Sequence, residues 1–190
     1  LLENGANSSF VHSLLDENIP ASDVVKDPVA AVAAHPARHA RIALPRDIYG
    51  PARVNPLGRD LSQSAVRAGH ARAVAAMLAE QVVAGPLLSG ALADGAARAV
   101  VNPAQTSQVI GITADARPEH IDAAVARARA AQGDWDRMGG GARADVLRAM
   151  GDAVEDAGDA LIALLTLEAG KTFNDAVAEV REAADFCRYY

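Results

Sequence analysis

A mostly α-helical chain with a few short strands, assembled from parts of two unlike domains, is what this sequence predicts. Three observations predict it. Residues 117–190 carry apolar positions at helical spacing almost without interruption, whereas residues 81–115 hold short β-prone runs between Gly and Pro signals. Between these zones and a short helical stretch at the start lies a proline-punctuated linker over 35–60. Hydrophobic residues make up 51% of the 190, but only 4% are aromatic and much of the remainder is alanine. Each side chain therefore buries little area, and the core is thin for the length, as suits pieces that pack against structure elsewhere.

The elements follow in order. Asn4-Gly5-Ala6-Asn7-Ser8-Ser9 is a turn and cap segment. Phe10, Val11, Leu14 and Leu15 then predict a short amphipathic helix that ends near Asn18-Ile19-Pro20. A second short helix spans Asp23 to Ala34, interrupted near Asp27-Pro28. Pro36, Pro45, Pro51 and Pro56, with Gly50 and Gly58 between them, predict a linker running over a surface in extended form. From Asp60 to Glu80 the pattern is helical, with Leu61, Ala65, Ala68, Val74, Met77 and Leu78 as the expected buried positions. Val82-Val83, Ala99-Val100-Val101 and Val109-Ile110-Gly111-Ile112 predict strands, and Asn102-Pro103 marks a turn between two of them. Pro118 suits the first turn of a helix whose inner face is Ile121, Ala124, Val125 and Ala128. Val146, Leu147, Met150 and Val154 form a second face. Leu161, Leu164, Leu165 and Leu167 form a third, ended by Gly170. Thr172 to Asp175 reads as a capping-box variant opening a last helix with Phe173, Ala176, Val177, Val180 and Ala184 inward. No segment repeats at a period of 20–50 residues.

Charge and motif content narrow the function classes. The net charge is −6 with both signs interspersed, and no basic stripe exists to neutralise phosphates, so nucleic acid is not the expected partner. No apolar run approaches the ~20 residues that cross a bilayer, and the start lacks a signal-peptide pattern. Cys187 is the one cysteine, which excludes an internal disulfide and suits a reducing, cytoplasmic compartment. It adjoins Arg188, but no histidine base is near in sequence, so a structural thiol is the expectation. Gly139-Gly140-Gly141 follows Met138 with no strand before it, which predicts a flexible turn rather than a phosphate loop. The five histidines stand apart, and His35 and His39 fall in the linker, so solvated residues are expected rather than metal ligands. The chain begins on Leu1 and stops on Tyr189-Tyr190 within a helical pattern, from which a segment truncated at both ends is expected.

Specific motifs carry a resemblance further. Leu1 to Phe10 resembles the closing segment of the proline dehydrogenase barrel in the bifunctional proline utilization A family. Residues 98–190 resemble the start of the aldehyde dehydrogenase superfamily, through Val101-Asn102-Pro103-Ala104, a helix break at Trp135, Arg143-Ala144-Asp145-Val146-Leu147 and Glu168-Ala169-Gly170-Lys171-Thr172. The stretch from Ala178 to Tyr190 is similar to the glutamate-semialdehyde branch of that superfamily. A linker containing Leu44-Pro45-Arg46-Asp47-Ile48-Tyr49-Gly50 separates the two halves in the order the family has them.

The resemblance implies an α/β parent: a flavin-binding (β/α)8 barrel plus an aldehyde dehydrogenase-like, Rossmann-type domain. Residues 1–34 would close the barrel, 35–80 would form the interdomain linker and helix, and 81–190 would open the aldehyde dehydrogenase domain. It implies FAD and NAD as cofactors. L-proline is oxidised to pyrroline-5-carboxylate, water opens the ring to glutamate semialdehyde, and the aldehyde is oxidised to glutamate. Electrons from the flavin pass to the membrane quinone pool, so the cytoplasmic parent would associate peripherally with the inner membrane. A homo-oligomer is compatible with the family, and a passage along residues 35–80 would shield the intermediate from water.

Site residues follow by position. Glu3, Ser9 and Phe10 match the FAD side of the first site, with an apolar ring on Phe10 and a hydroxyl on Ser9. Plain core packing is the alternative for Phe10. Glu179 and Phe186 match the aldehyde pocket, and their spacing of seven sets both near one helix face. A solvated surface charge is the alternative for Glu179. Lys171 suits neutralisation of a helix C-terminus. The carboxylate-clamping arginine pair belongs before Leu1, and the nucleophilic cysteine and general-base glutamate belong beyond Tyr190, so no catalytic residue is expected here and Cys187 is not that nucleophile. Two other readings stay open: a non-catalytic helical scaffold derived from this enzyme, and a monofunctional aldehyde dehydrogenase with an N-terminal extension.

Overall fold

The computed structural model describes residues 10–34 and 41–190, and contacts divide the chain after Ala43 into two units. The first unit holds three short helices, α1 (Phe10–Leu15), α2 (Ala21–Val24) and α3 (Pro28–Ala33). The interruption at Asp27-Pro28 is a cap: the Asp27 carboxylate accepts the Val29 N–H at 2.9 Å, and Pro28 occupies the first turn, where its missing N–H costs nothing. Leu14, Leu15, Val25, Val29 and Val32 are exposed.

The second unit opens with two 3-10 turns, Pro45–Asp47 and Gly50–Ala52, where the sequence suggested a fully extended linker. Arg53, which follows Ala52, is extended. Helix α4 (Ser64–Ala79) follows, then strands β1 (Val82–Ala84), β2 (Leu87–Leu88), β3 (Ala91–Leu92), β4 (Ala97–Asn102) and β5 (Gln105–Ala114). Strands β4 and β5 form an antiparallel hairpin whose turn at Asn102-Pro103 is held by the Asn102 carboxamide oxygen accepting the Ala104 N–H at 2.9 Å. Strand β1 adds parallel to the other side of β5, giving the order β1-β5-β4, while β2 and β3 form a separate small hairpin. Four helices complete the unit: α5 (Pro118–Arg137), α6 (Gly139–Asp156), α7 (Gly158–Ala169) and α8 (Phe173–Tyr189).

Helix α8 is the clearest case of sequence dictating packing. Its apolar residues recur at 173, 176, 177, 180 and 184, and Ala176, Val177, Val180 and Ala184 are all buried. The core gathers Ile162 of α7 with Ala176, Val177 and Val180, flanked by Leu61, Val154, Leu161, Leu165 and Phe173. Ala184 lets α6 approach closely at Gly151, whose Cα hydrogen faces the Ala184 carbonyl and the Cys187 side chain. Thr172 caps α8, its hydroxyl accepting the Asp175 N–H at 3.2 Å. Gly170, in the left-handed conformation at φ 65°, ends α7.

Three expectations are corrected. In α4 the inward stripe is Val66, Gly69, His70, Ala73, Val74 and Met77, while Ala65, Ala68 and Leu78 are exposed. The face is turned because His70 is drawn under the core, 5.4 Å from the Phe173 ring. Trp135 does not break its helix; α5 runs through to Arg137, and the break falls at Met138-Gly139, so the glycine triplet forms the first turn of α6. The presumed inner face of α5 looks outward in this chain, with Ile121 and Val125 exposed, and Val146 and Met150 of α6 are exposed likewise.

Candidate functional site

The corner between α7 and α8 places the first group of expected residues. Lys171 follows the left-handed Gly170, and its N–H donates to the Leu165 carbonyl at 3.3 Å, which fixes the turn. From there the side chain reaches forward two turns of sequence to Glu179 on α8, donating from Nζ to Oε1 at 2.7 Å. The hydrogen bond to Glu179 raises the Lys171 pKa above the ordinary lysine range, against a smaller opposing effect of burial. Glu179 is therefore an ion-paired carboxylate rather than a lone surface charge.

Phe186 lies two helical turns on, about 10 Å along the axis. It is half exposed and lines a shallow depression with Pro56, Ala178, Glu182 and Asp185, its ring 6.3 Å from that of Tyr190. Glu179 and Phe186 thus share one side of α8, yet the depression that holds Phe186 does not include Glu179. Glu3 and Ser9 lie outside the described residues. Phe10 is the first residue of α1.

Sequence reasoning missed a second arrangement, an ionic clasp that holds the segment 53–63 against α6, α7 and α8. The Arg188 side chain, on α8, is 5% exposed and donates to Glu155 at 2.5 Å and Asp152 at 2.6 Å, both on α6. Burial pushes the Glu155 carboxyl upward. The Arg188 hydrogen bond, the Leu57 N–H and the charges of Arg188 and Arg46 outweigh that effect, so its pKa lies below the usual range. The other Glu155 oxygen accepts the Leu57 N–H at 2.6 Å. Arg59 pairs with Asp159 at the start of α7, passing over Gly158, where any Cβ would stand 2.9 Å from its Nη2. Arg53 stacks on Tyr49 at 4.2 Å and faces Tyr189 at 5.4 Å. No local spacing could have announced the hydrogen bonds and ion pairs of this clasp, since each joins residues 30 or more positions apart.

Beneath this clasp lies a cleft of about 410 Å³, lined by Gly58, Arg59, Gln63, Glu155, Asp159 and Ile162 among others. His70, 1% exposed, sits nearby with its Nδ1 3.8 Å from Asp159 Oδ1 and neither ring nitrogen hydrogen-bonded. Burial first, then the Arg59 charge, hold its pKa below the usual imidazole value, with Asp159 opposing.

A dinucleotide requires a cradle of backbone N–H groups at a strand-to-helix turn. The turn from β5 into α5 does not fit a pyrophosphate: Asp115 and Glu119 flank it, and Arg117 is committed to Asp94 and Glu119. The Asp94 contact is bidentate, at 2.8 and 3.0 Å, and His120 Nδ1 accepts the Arg117 N–H at 3.2 Å. This cluster ties the strand region to α5 rather than offering a site. Among the described residues no group of His, Cys, Asp and Glu could hold a metal, and no helix is long and apolar enough to cross a membrane.

Comparison with known proteins adds the following. The aldehyde dehydrogenase family matches residues 92–190. The whole chain is similar to the bifunctional protein PutA of Salmonella typhimurium, 38% identical over 199 residues, which cover 100% of this chain and 15% of that protein. The crystal structure of proline utilization A from Bdellovibrio bacteriovorus inactivated by N-propargylglycine superposes with a TM-score of 0.76 at 28% identity, covering 100% of this chain and 19% of that one. The 1-pyrroline-5-carboxylate dehydrogenase from Thermus with bound NAD matches 72% of this chain and 27% of its own, with a TM-score of 0.66 at 27% identity. The chain therefore spans less than a fifth of the length of the two bifunctional relatives.

Proposed function

The chain belongs to the aldehyde dehydrogenase family, and on that premise we propose that it is the junction of a bifunctional enzyme oxidising L-proline to L-glutamate. One observation carries this reading. The family match is confined to 92–190, whereas similarity to the bifunctional relative runs the full length of the chain. The bifunctional relative thus supplies a counterpart for the whole chain, whereas the 1-pyrroline-5-carboxylate dehydrogenase structure, which matches 72% of it, leaves more than a quarter without one.

In this reading residues 1–34 close a flavin-binding (β/α)8 barrel, 35–80 form the linker and helix, and 81–190 open the NAD-dependent domain. Glu3, Ser9 and Phe10 serve the FAD side. FAD would take two electrons from proline and pass them to quinone; NAD would take a hydride from the aldehyde in the second site. Neither cradle is built from the described residues of this chain, whose own contribution is positional. The ionic clasp fixes the linker to α6, α7 and α8, and α8 presents Glu179 and Phe186 toward the aldehyde pocket. Glutamate semialdehyde carries an ammonium and a carboxylate, and an ionised Glu179 can favourably face only the ammonium. Phe186 offers an apolar wall to the methylene chain.

The test is an assay of the full-length gene product. L-proline-dependent reduction of a soluble quinone analogue and NADH formation from pyrroline-5-carboxylate are both expected in one polypeptide. NADH formation without proline oxidation would leave a monofunctional dehydrogenase. Loss of both activities would favour the scaffold reading.

A further inference from the structure

We propose that Lys171 is a positioning residue for substrate selection, holding Glu179 by one oxygen so that the other is aimed at the substrate's ammonium group. The inference rests on the reading of Glu179 given above. A lysine just after a helix C-terminus ordinarily neutralises the terminal carbonyls. Here Nζ goes elsewhere: among the described residues its hydrogen bond is to Glu179 Oε1, eight residues on, at 2.7 Å. The contact is monodentate, and Oε2 of Glu179 accepts nothing among the described residues. One oxygen is committed and one is open, which is the arrangement a carboxylate needs to receive an incoming N–H donor.

The backbone supports that role. Lys171 is gripped on both sides, by the left-handed Gly170 before it and by the Thr172 cap after it, whose hydroxyl accepts the Asp175 N–H at 3.2 Å. The lysine therefore projects from a fixed corner, while Glu179 projects from the second turn of a helix whose inner residues are buried. A free glutamate side chain would sample several rotamers and lose entropy on meeting a ligand. The Lys171 contact removes part of that cost in advance. With the lysine 33% and the glutamate 49% exposed, the pair itself adds little stability, so its consequence falls on orientation rather than folding.

The experiment compares two aldehydes in the full-length gene product: glutamate semialdehyde, and glutarate semialdehyde, which is the same chain without the ammonium. Lys171→Met is expected to lower the ratio of their kcat/KM values about fivefold, mainly by raising KM for the amino-bearing substrate. Lys171→Arg, which keeps a cation able to reach the carboxylate, is expected to restore most of it. Equal losses on both aldehydes, or a failure of arginine to rescue, would overturn the inference by reducing Lys171 to a structural part of the corner. Glu179→Gln separates the two levels. A ratio unchanged in that variant sinks the placement of Glu179 and the inference with it. A ratio lowered by Glu179→Gln but not by Lys171→Met sinks the role of Lys171 alone.

Discussion

Arg188 shows how much one side chain can hold. Its side chain is 5% exposed and serves two carboxylates of α6, one of which, Glu155, reaches on to the Leu57 N–H. Three stretches of chain therefore meet on one cation. Arg188→Met keeps much of the apolar stem but strands Glu155, 16% exposed, without its partner. Breaking a largely buried pair from one side costs about 3 kcal/mol, and urea denaturation at pH 7 should register a loss near that size. A loss below about 1 kcal/mol would mean that water screens the pair as it does at a surface. The variant should also move the acid limb. In the parent chain the depressed Glu155 pKa contributes stability that is present above the ordinary carboxylate value and lost as pH falls through the folded one. Without Arg188 that contribution disappears. None of this was legible in the sequence, where Arg188 drew notice only as a neighbour of Cys187. Glu155 and Arg188 stand 33 positions apart, and the spacing rules for side-chain pairs reach only one helical turn.

At the scale of elements, the α7–α8 corner can be tested through its glycine. Gly170 combines φ 65° with a position where a Cβ would stand 3.1 Å from Pro103 Cγ in the β4–β5 turn. Gly170→Ala then meets both a left-handed backbone and a crowded neighbour, and a loss of about 1–2 kcal/mol is expected, read as a lowered Tm. A Tm unchanged within error would show that the corner relaxes freely. This element was readable because its signals are strong: a glycine ending a leucine-rich run, a threonine cap, and valines and alanines at 3.6-residue spacing through α8. The β4 and β5 strands were readable for a similar reason, since β-branched residues bracket a turn at Asn102-Pro103. Helix α4 was not read correctly in its facing. Its residues are mostly alanine, so the pattern distinguishes Ala65 from Val66 only weakly, and the buried stripe includes Gly69 and His70, which hydropathy does not mark. The β2–β3 hairpin was missed because two-residue strands carry no periodicity. The outward face of α5 follows the same logic from the other side: its apolar stripe is real, but Ile121 and Val125 are left exposed among the described residues. Of the candidate site, the Lys171–Glu179 contact had both residues named without the bond between them, because it spans a cap rather than a helix.

For the molecule as a whole, a thin core of small side chains leaves stability sensitive to the polar groups it encloses. His70 is the largest of these: fully buried, stacked near Phe173, and facing Arg59 and Asp159 as its charged neighbours. Its pKa is depressed in the folded chain, so on acidification the unfolded chain takes up this proton first. The sign follows directly. Stability from a neutral His70 is fully present above the unfolded value of about 6.5 and is lost as pH falls from there through the folded value. Over that window one proton corresponds to a slope of about 1.4 kcal/mol per pH unit. Denaturant midpoints measured from pH 7.5 to 5 should therefore hold steady and then decline below about 6.5. In His70→Leu the ring nitrogens that lack partners are gone, the Arg59–Asp159 pair remains, and this upper part of the decline should flatten, leaving the steeper loss at lower pH where Glu155 takes up its proton. A decline near pH 6 that persists in His70→Leu would assign the proton to another group and overturn the role given to His70. A flattened profile would instead tie acid sensitivity to the packing of α4 on the core, the same packing that seats the linker over α7.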